Sequence, residues 1–215
     1  MFFKAFEVTM LASMAYASVF PRAASSPQAV DVILEIAPTS NTCSGSPVPA
    51  ECATNVQASP FLIAAMSKYQ IYVQSEIAAL LSVIAYETAD FKYNTNRFPA
   101  PGRPGQGTRN MQMANYNLLY AQSIPELATK LSAITTSSSV VGLSDEKLNA
   151  IRALVLPDEY SWASGAWFLT TQCKNVRTAL QTGSQAGFEA YMVCLGVTAT
   201  EDRLAYWKRA TAAFS

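Results

Sequence analysis

The chain has 215 residues, 50% of them hydrophobic and 14% charged, with 15 basic and 15 acidic side chains and a formal net charge of +0. That is too apolar for a disordered chain, too poor in charge for a coiled coil, and lacks the positive excess on which a nucleic-acid binder relies. There is no histidine, which excludes Ser-His-Asp and Cys-His catalysis and any zinc site with imidazole ligands.

Residues 1–24 read as a secretory signal peptide. Lys4 supplies a short positive start, and Val8 to Phe20 is apolar but too short for a stable bilayer span. Ala15-Tyr16-Ala17 suits a signal peptidase, with Ala23-Ala24 as a second candidate; Glu7 is an awkward charge for this reading. Residues 25–215 are then expected to form one extracellular, monomeric domain. No later run reaches ~18 uninterrupted apolar residues, so no membrane partner is expected after cleavage.

The 4 cysteines fit an oxidising compartment. Four cysteines permit three connectivities. Nearness in sequence favours Cys43–Cys52, around a Ser/Gly/Pro-rich loop, and Cys173–Cys194, on adjacent predicted helices. The spacing is not that of paired C-x-x-C metal knuckles, so no metal site is expected.

The rest of the pattern is helical. A short apolar element covers 28–36. Ser59-Pro60 predicts a helix start, with Ser as cap and Pro at the first helical position. Ser75 predicts the cap of a helix over about 76–91, with Ile77, Leu81, Ile84 and Thr88 on one face. Residues 94–111 hold Pro99, Gly102, Pro104, Gly105 and Gly107 and form a long irregular loop, the kind that is usually functional. Helices are predicted at about 114–122, 125–134, 145–156, 161–173, 175–182, 185–195 and 201–213. Ser144, Ser184 and Thr200 are expected caps, and Gly183 and Gly196 expected stops. The fold class is all-α. Trp162, Trp167 and Trp207 lie in apolar helical patterns and are expected in the core.

Glu87 stands near the end of an apolar helix, with Leu80, Ile84 and Phe91 as helical neighbours. Partial desolvation there would favour a protonated carboxyl, as general acid catalysis requires. The loop that follows carries Lys92, Arg97, Arg103 and Arg109 against one acid, Asp90. It also carries amides (Asn94, Asn96, Gln106, Asn110, Gln112) and the aromatics Tyr93, Phe98 and Tyr116. Amides match sugar hydroxyl and N-acetyl groups, and aromatic faces match the flat side of a sugar ring. A basic cleft suits neutral or anionic polymers and disfavours cationic chitosan.

In Glu87-Thr88, followed by Gly105-Gln106-Gly107-Thr108-Arg109-Asn110-Met111-Gln112, the chain resembles the lysozyme superfamily, especially goose-type lysozymes and soluble lytic transglycosylases. Those enzymes place a catalytic Glu at a helix end, then Ser or Thr, then a Gly-rich loop. The resemblance covers 84–120, and the remainder only in helical outline. The C-terminal half looks like chitosanase-type folds in its aromatic helix from Ser161-Trp162 to Trp167-Phe168, and the chain is also similar to secreted fungal proteins of no assigned activity. The resemblance implies a lysozyme-like multi-helix domain with the Gly/Pro-rich loop as its active-site wall. It implies cleavage of β-1,4 linkages in a GlcNAc-containing polysaccharide, peptidoglycan or chitin, with no cofactor. Glu87 would be the general acid, and Thr88, Asn96, Gln106, Thr108, Asn110, Gln112 and Tyr116 would line the sugar site. The departure is the second carboxylate. Asp90 shares a helix face with Glu87 and cannot easily flank a sugar ring with it. Asp158 and Glu159 are the remaining candidates, or else a single acid serves both steps, as in lytic transglycosylases. The alternative is a non-catalytic secreted carbohydrate-binding or effector-like protein on the same scaffold.

Overall fold

The structure, a computed structural model, describes residues 27–215. The predicted signal peptide, residues 1–24, lies outside the described residues.

Helix α1 (Pro27–Ile36) is followed by α2 (Asn55–Lys68) and α3 (Gln74–Glu87). Then come the long loop, α4 (Ala114–Gln122), α5 (Ala128–Ile134) and α6 (Asp145–Val155). The C-terminal half holds α7 (Asp158–Ser161), α8 (Ser164–Thr171), α9 (Arg177–Gln181), α10 (Gln185–Cys194) and α11 (Glu201–Ala212). Among the described residues there is no strand, only isolated antiparallel bridges Thr95–Gly107 and Gly107–Gln112 inside the loop. The all-α class holds, and both disulfides pair as expected, Cys43 with Cys52 and Cys173 with Cys194.

Helix α3 is the axis of the fold. It is buried almost all round, from Glu76 through Ala85, because α11, α9, α1 and α8 pack against it. An apolar helix that meets neighbours on every side needs no polar face. Its one buried acid, Glu76, is fully enclosed and held by Arg177 (2.5 Å) and the amide of Gln181 (3.1 Å). Trp162, Trp167 and Trp207 lie in the core, as their patterns predict.

Several boundaries differ from the predicted ones. Helix α2 starts at Asn55, because Thr54 and Gln57 cap each other's backbone N–H groups as a capping box. Pro60 therefore sits inside the helix rather than at its start. Ser75 is not a cap; its hydroxyl donates to the Gln181 carbonyl (2.9 Å). The predicted 161–173 helix is the shorter α8, Ser164–Thr171, preceded by the single turn α7, which ends at Ser161. Ser144, Ser184 and Thr200 do cap α6, α10 and α11. Gly183 and Gly196 have positive φ at the ends of α9 and α10.

Helix α3 ends at Glu87, not at 91. The Thr88 hydroxyl donates to the Ile84 carbonyl (2.6 Å) and accepts the Phe91 N–H (3.0 Å). Ala89, Asp90 and Phe91 then take φ of 49°, 54° and 71°, three consecutive left-handed residues without a glycine. This turn reverses the chain directly after Glu87.

Candidate functional site

The loop after α3 is built on two anchors. Glu51, beside Cys52, is buried and receives the N–H groups of Asn94 (2.9 Å) and Thr95 (3.0 Å), the Thr95 hydroxyl (2.6 Å) and the guanidinium of Arg97. Burial pushes this carboxyl up, but the four hydrogen-bonding groups together outweigh it and leave it below its ordinary value of 4.5. Arg109 is the second anchor and is only 2% exposed. It donates to the carbonyls of Phe91 (3.0 Å), Tyr93 (2.9 Å) and Glu51 (2.8 Å) and lies over the Trp162 ring. Burial pulls it down to about 10, with Asp158 and Glu51 counteracting, so it stays cationic at neutral pH. The arginines of this loop thus differ: Arg109 is a buried structural strut, Arg97 is tied to Glu51 while half-exposed, and Arg103 is exposed.

Gly107 bridges both Thr95 and Gln112, and a Cβ there would meet the Asn94 carbonyl oxygen at 2.8 Å. This close approach requires glycine and folds the loop back on itself. The fold-back, together with the turn after α3, opens a cleft of about 600 Å³ beside Glu87. Its lining joins the end of α3 (Val83, Glu87), the loop (Asn96, Phe98, Arg103, Gln106, Asn110–Met113), Tyr116 of α4 and Phe168 of α8. The segment Cys194–Val197 and Arg203 of α11 complete it. A second hollow of about 570 Å³, lined by Leu62, Ile63, Met66, Ile77 and Phe214 among others, presents no Asp, Glu, Lys or Arg side chain among the described residues. Of these two, the cleft beside Glu87 is the one lined by acidic and basic side chains.

Among the described residues, Glu87 is the one carboxylate side chain in the cleft lining, against two cations, Arg103 and Arg203. Its Oε1 accepts from Arg203 Nη2 at 2.8 Å, and the Arg203 guanidinium lies over the Tyr86 ring, 4.4 Å from its centre. An ionised carboxylate only accepts hydrogen bonds.

Of the predicted sugar-site residues, Asn96, Gln106, Asn110, Gln112 and Tyr116 share the cleft with Glu87. Thr88 and Thr108 do not. Both are fully buried: Thr88 shapes the helix end, and Thr108 receives the Ser164 hydroxyl (2.8 Å). Gln112 is braced from behind, its amide donating to Asn117 Oδ1 (2.8 Å). Asp90 is a structural acceptor for Thr39 N–H (3.0 Å), the Thr39 hydroxyl (2.8 Å) and the Tyr206 hydroxyl (2.8 Å). Asp158 accepts from the Trp162 indole (3.0 Å), and neither it nor Glu159 lines the cleft. Sequence reasoning missed Arg203 and Glu51, whose partners lie 116 and 43–46 residues away with no local signal.

No family model and no solved structure matches this chain. It is 51% identical over 160 residues to a protein of Fusarium oxysporum (strain Fo5176), a bifunctional dioxygenase (DOX)-epoxy alcohol synthase (EAS). The match takes in 74% of this chain and 12% of that relative's length.

Proposed function

We propose that the chain is a secreted, monomeric, lysozyme-like glycosidase that cleaves β-1,4 linkages in a GlcNAc-containing polysaccharide, peptidoglycan or chitin. Glu87 is its general acid, and it uses no cofactor. The observation that carries this reading is the shared cleft: one carboxylate at a helix end, with the amides of Asn96, Gln106, Asn110 and Gln112 and the aromatic rings of Phe98 and Tyr116 around it. Amides offer both donors and acceptors to hydroxyl and N-acetyl groups, and the rings offer flat apolar contact. Two disulfides support an extracellular site of action. Among the described residues the lining offers no second carboxylate, which supports a single-acid route like that of the lytic transglycosylases it resembles. The Fusarium relative's named activities belong to a far longer chain and are not carried over.

A second reading, carbohydrate binding without cleavage, is favoured by the ion pair that engages Glu87 with Arg203. One experiment separates the two. The oxidised protein and its Glu87→Gln variant are incubated with peptidoglycan and with chitin oligomers, and products are read by mass spectrometry. Wild type is expected to release products at a rate at least about 100-fold above the variant, the usual contribution of a general acid. Reducing ends indicate hydrolysis, and 1,6-anhydro ends indicate a transglycosylase. No product from a folded wild-type protein rejects the glycosidase and leaves the binding reading.

A further inference from the structure

Asn96 and Arg103, which line one side of the cleft, also line a smaller hollow of about 290 Å³. Its remaining polar lining includes Arg97, Arg152, Asn149 and Asp145. Three arginine residues thus line one small space against a single lining carboxylate, and the Arg103 guanidinium also reaches Met113 Sδ (3.9 Å) on the cleft side. Arg97 is already tied to Glu51. Among the described residues Arg103 and Arg152 are in no ion pair. Arg152 donates to the Gln106 carbonyl (3.1 Å), while its buried Nε has no hydrogen-bond partner.

Like charges gathered in a part-buried place are costly unless an anion joins them. Burial pulls the Arg152 guanidinium below its ordinary value, Glu51 counteracts this, and Arg97 adds to it. The cluster is nevertheless held in place. Asn96 Oδ1 accepts the Arg103 N–H (2.9 Å), and Asn149 Oδ1 accepts the Gly105 N–H (2.9 Å). The Arg152 stem lies against Gly107, where a Cβ would meet its Cδ at 2.8 Å. Planar guanidinium forks on a fixed frame are suited to carboxylate, phosphate and sulfate oxygens, which they can grip in pairs.

We propose that this hollow is an oxyanion site that takes an acidic substituent of the polymer lying in the neighbouring cleft. The subsite role rests on the carbohydrate reading above; the binding of an oxyanion does not. The substrate class is therefore a polysaccharide bearing a carboxylate, phosphate or sulfate group, not a wholly neutral chain.

The test is a titration followed by NMR, using the full chain with both disulfides formed and ionic strength held constant with sodium chloride. The probes are sodium sulfate, sodium phosphate, glucuronic acid and N-acetylmuramic acid, with N-acetylglucosamine as the neutral control. Saturable shifts are expected at the amides of Asn96, Gly102, Arg103 and Asn149 with the oxyanions and not with the control. Arg103 is exposed, so Arg103→Gln is expected to fold and to weaken binding about 10-fold, or 1.4 kcal/mol. Asp145→Asn removes the opposing charge and is expected to tighten binding about 2-fold or more, which a merely structural role would not produce. A response to the sugar acids identifies the substituent as a carboxylate. A response to sulfate and phosphate alone identifies it as a phosphate or sulfate ester. Shifts that stay linear, or saturable binding undiminished in Arg103→Gln, overturn the site. None of these readouts measures cleavage, so an enzyme inactive on every polysaccharide would reject the glycosidase reading and leave the oxyanion site standing.

Discussion

Thr88 sits beside the candidate acid and touches no cleft. Its hydroxyl closes the last turn of α3 and opens the left-handed turn that follows. Each left-handed non-glycine residue costs about 1–2 kcal/mol, so something must hold Ala89, Asp90 and Phe91 there. The Thr88 hydroxyl and the Asp90 carboxylate, gripped by Thr39 and Tyr206, are the visible restraints. Thr88→Val keeps the volume and removes the hydroxyl. It is expected to cost about 2 kcal/mol, a fall in Tm of about 4–8 °C, while Thr88→Ser falls less. An unchanged Tm in Thr88→Val would show that the turn does not depend on this hydroxyl. Arg109 makes the same point with charge. Arg109→Met takes the guanidinium donor from the carbonyls of Tyr93 and Glu51, leaves that of Phe91 with the Ala53 N–H, and is expected to cost at least about 3 kcal/mol. Limited proteolysis should then cut within 94–112 before anywhere else among residues 27–215. Cleavage sites unchanged from wild type would refute its role as a strut.

At the scale of elements, the loop is tied to the Cys43–Cys52 segment through Glu51. The sign of its pH dependence follows from the carboxyl's lowered value. A group depressed on folding stabilises the fold above its unfolded value, 4.5, and that contribution is lost as pH falls through the lower folded one. Glu51→Gln is therefore expected to lower the urea midpoint at about pH 7, with the gap to wild type closing below about pH 4. A gap that is constant with pH would assign the effect to packing. The disulfide itself closes a short segment of sequence separation 9 and is worth about 2.6 kcal/mol by loop entropy. Much of this was legible in the sequence because its causes are local. Ser144, Ser184 and Thr200 cap helices, Gly183 and Gly196 end them, and the glycines of 102–107 mark the loop. The start of α2 was misplaced because Ser59-Pro60 is a strong local signal and the Thr54/Gln57 box a stronger one. The end of α3 was misplaced because Ala89-Asp90-Phe91 carries no glycine; its geometry is set partly by Thr39 and Tyr206, remote in sequence. For the same reason Arg109 read as a loop cation, although distant carbonyls fix it in the interior.

The cleft is a property of the whole molecule. Val83, Tyr116, Phe168, Cys194 and Arg203 come from five helices spread over the chain, and α11 closes it by lying along α3. The Cys173–Cys194 bridge ties one wall to the segment after α8. The charge of that cleft cannot be read from the whole. Fifteen basic and fifteen acidic residues give a formal net charge of +0, so bulk charge neither attracts nor repels a polymer. Field at short range is set instead by Arg103 and Arg203 against Glu87, an excess of one positive charge, with Arg97 and Arg152 close by. Such a local field acts within about one Debye length and discriminates by the sign of the sugar's own groups. Binding is therefore expected to follow the order acid-bearing polymer, then neutral chitin, then chitosan, whose ammonium groups meet the arginines. Raising sodium chloride from about 0.05 to about 0.5 M should weaken the first, spare the second and improve the third. The measurement is co-sedimentation of the folded protein with each insoluble polymer at both salt concentrations. Arg103→Gln should narrow the difference between the acidic and cationic polymers without abolishing capture of chitin. Preferential binding of chitosan at low salt would mean that Glu87, and not the arginines, governs what the cleft accepts.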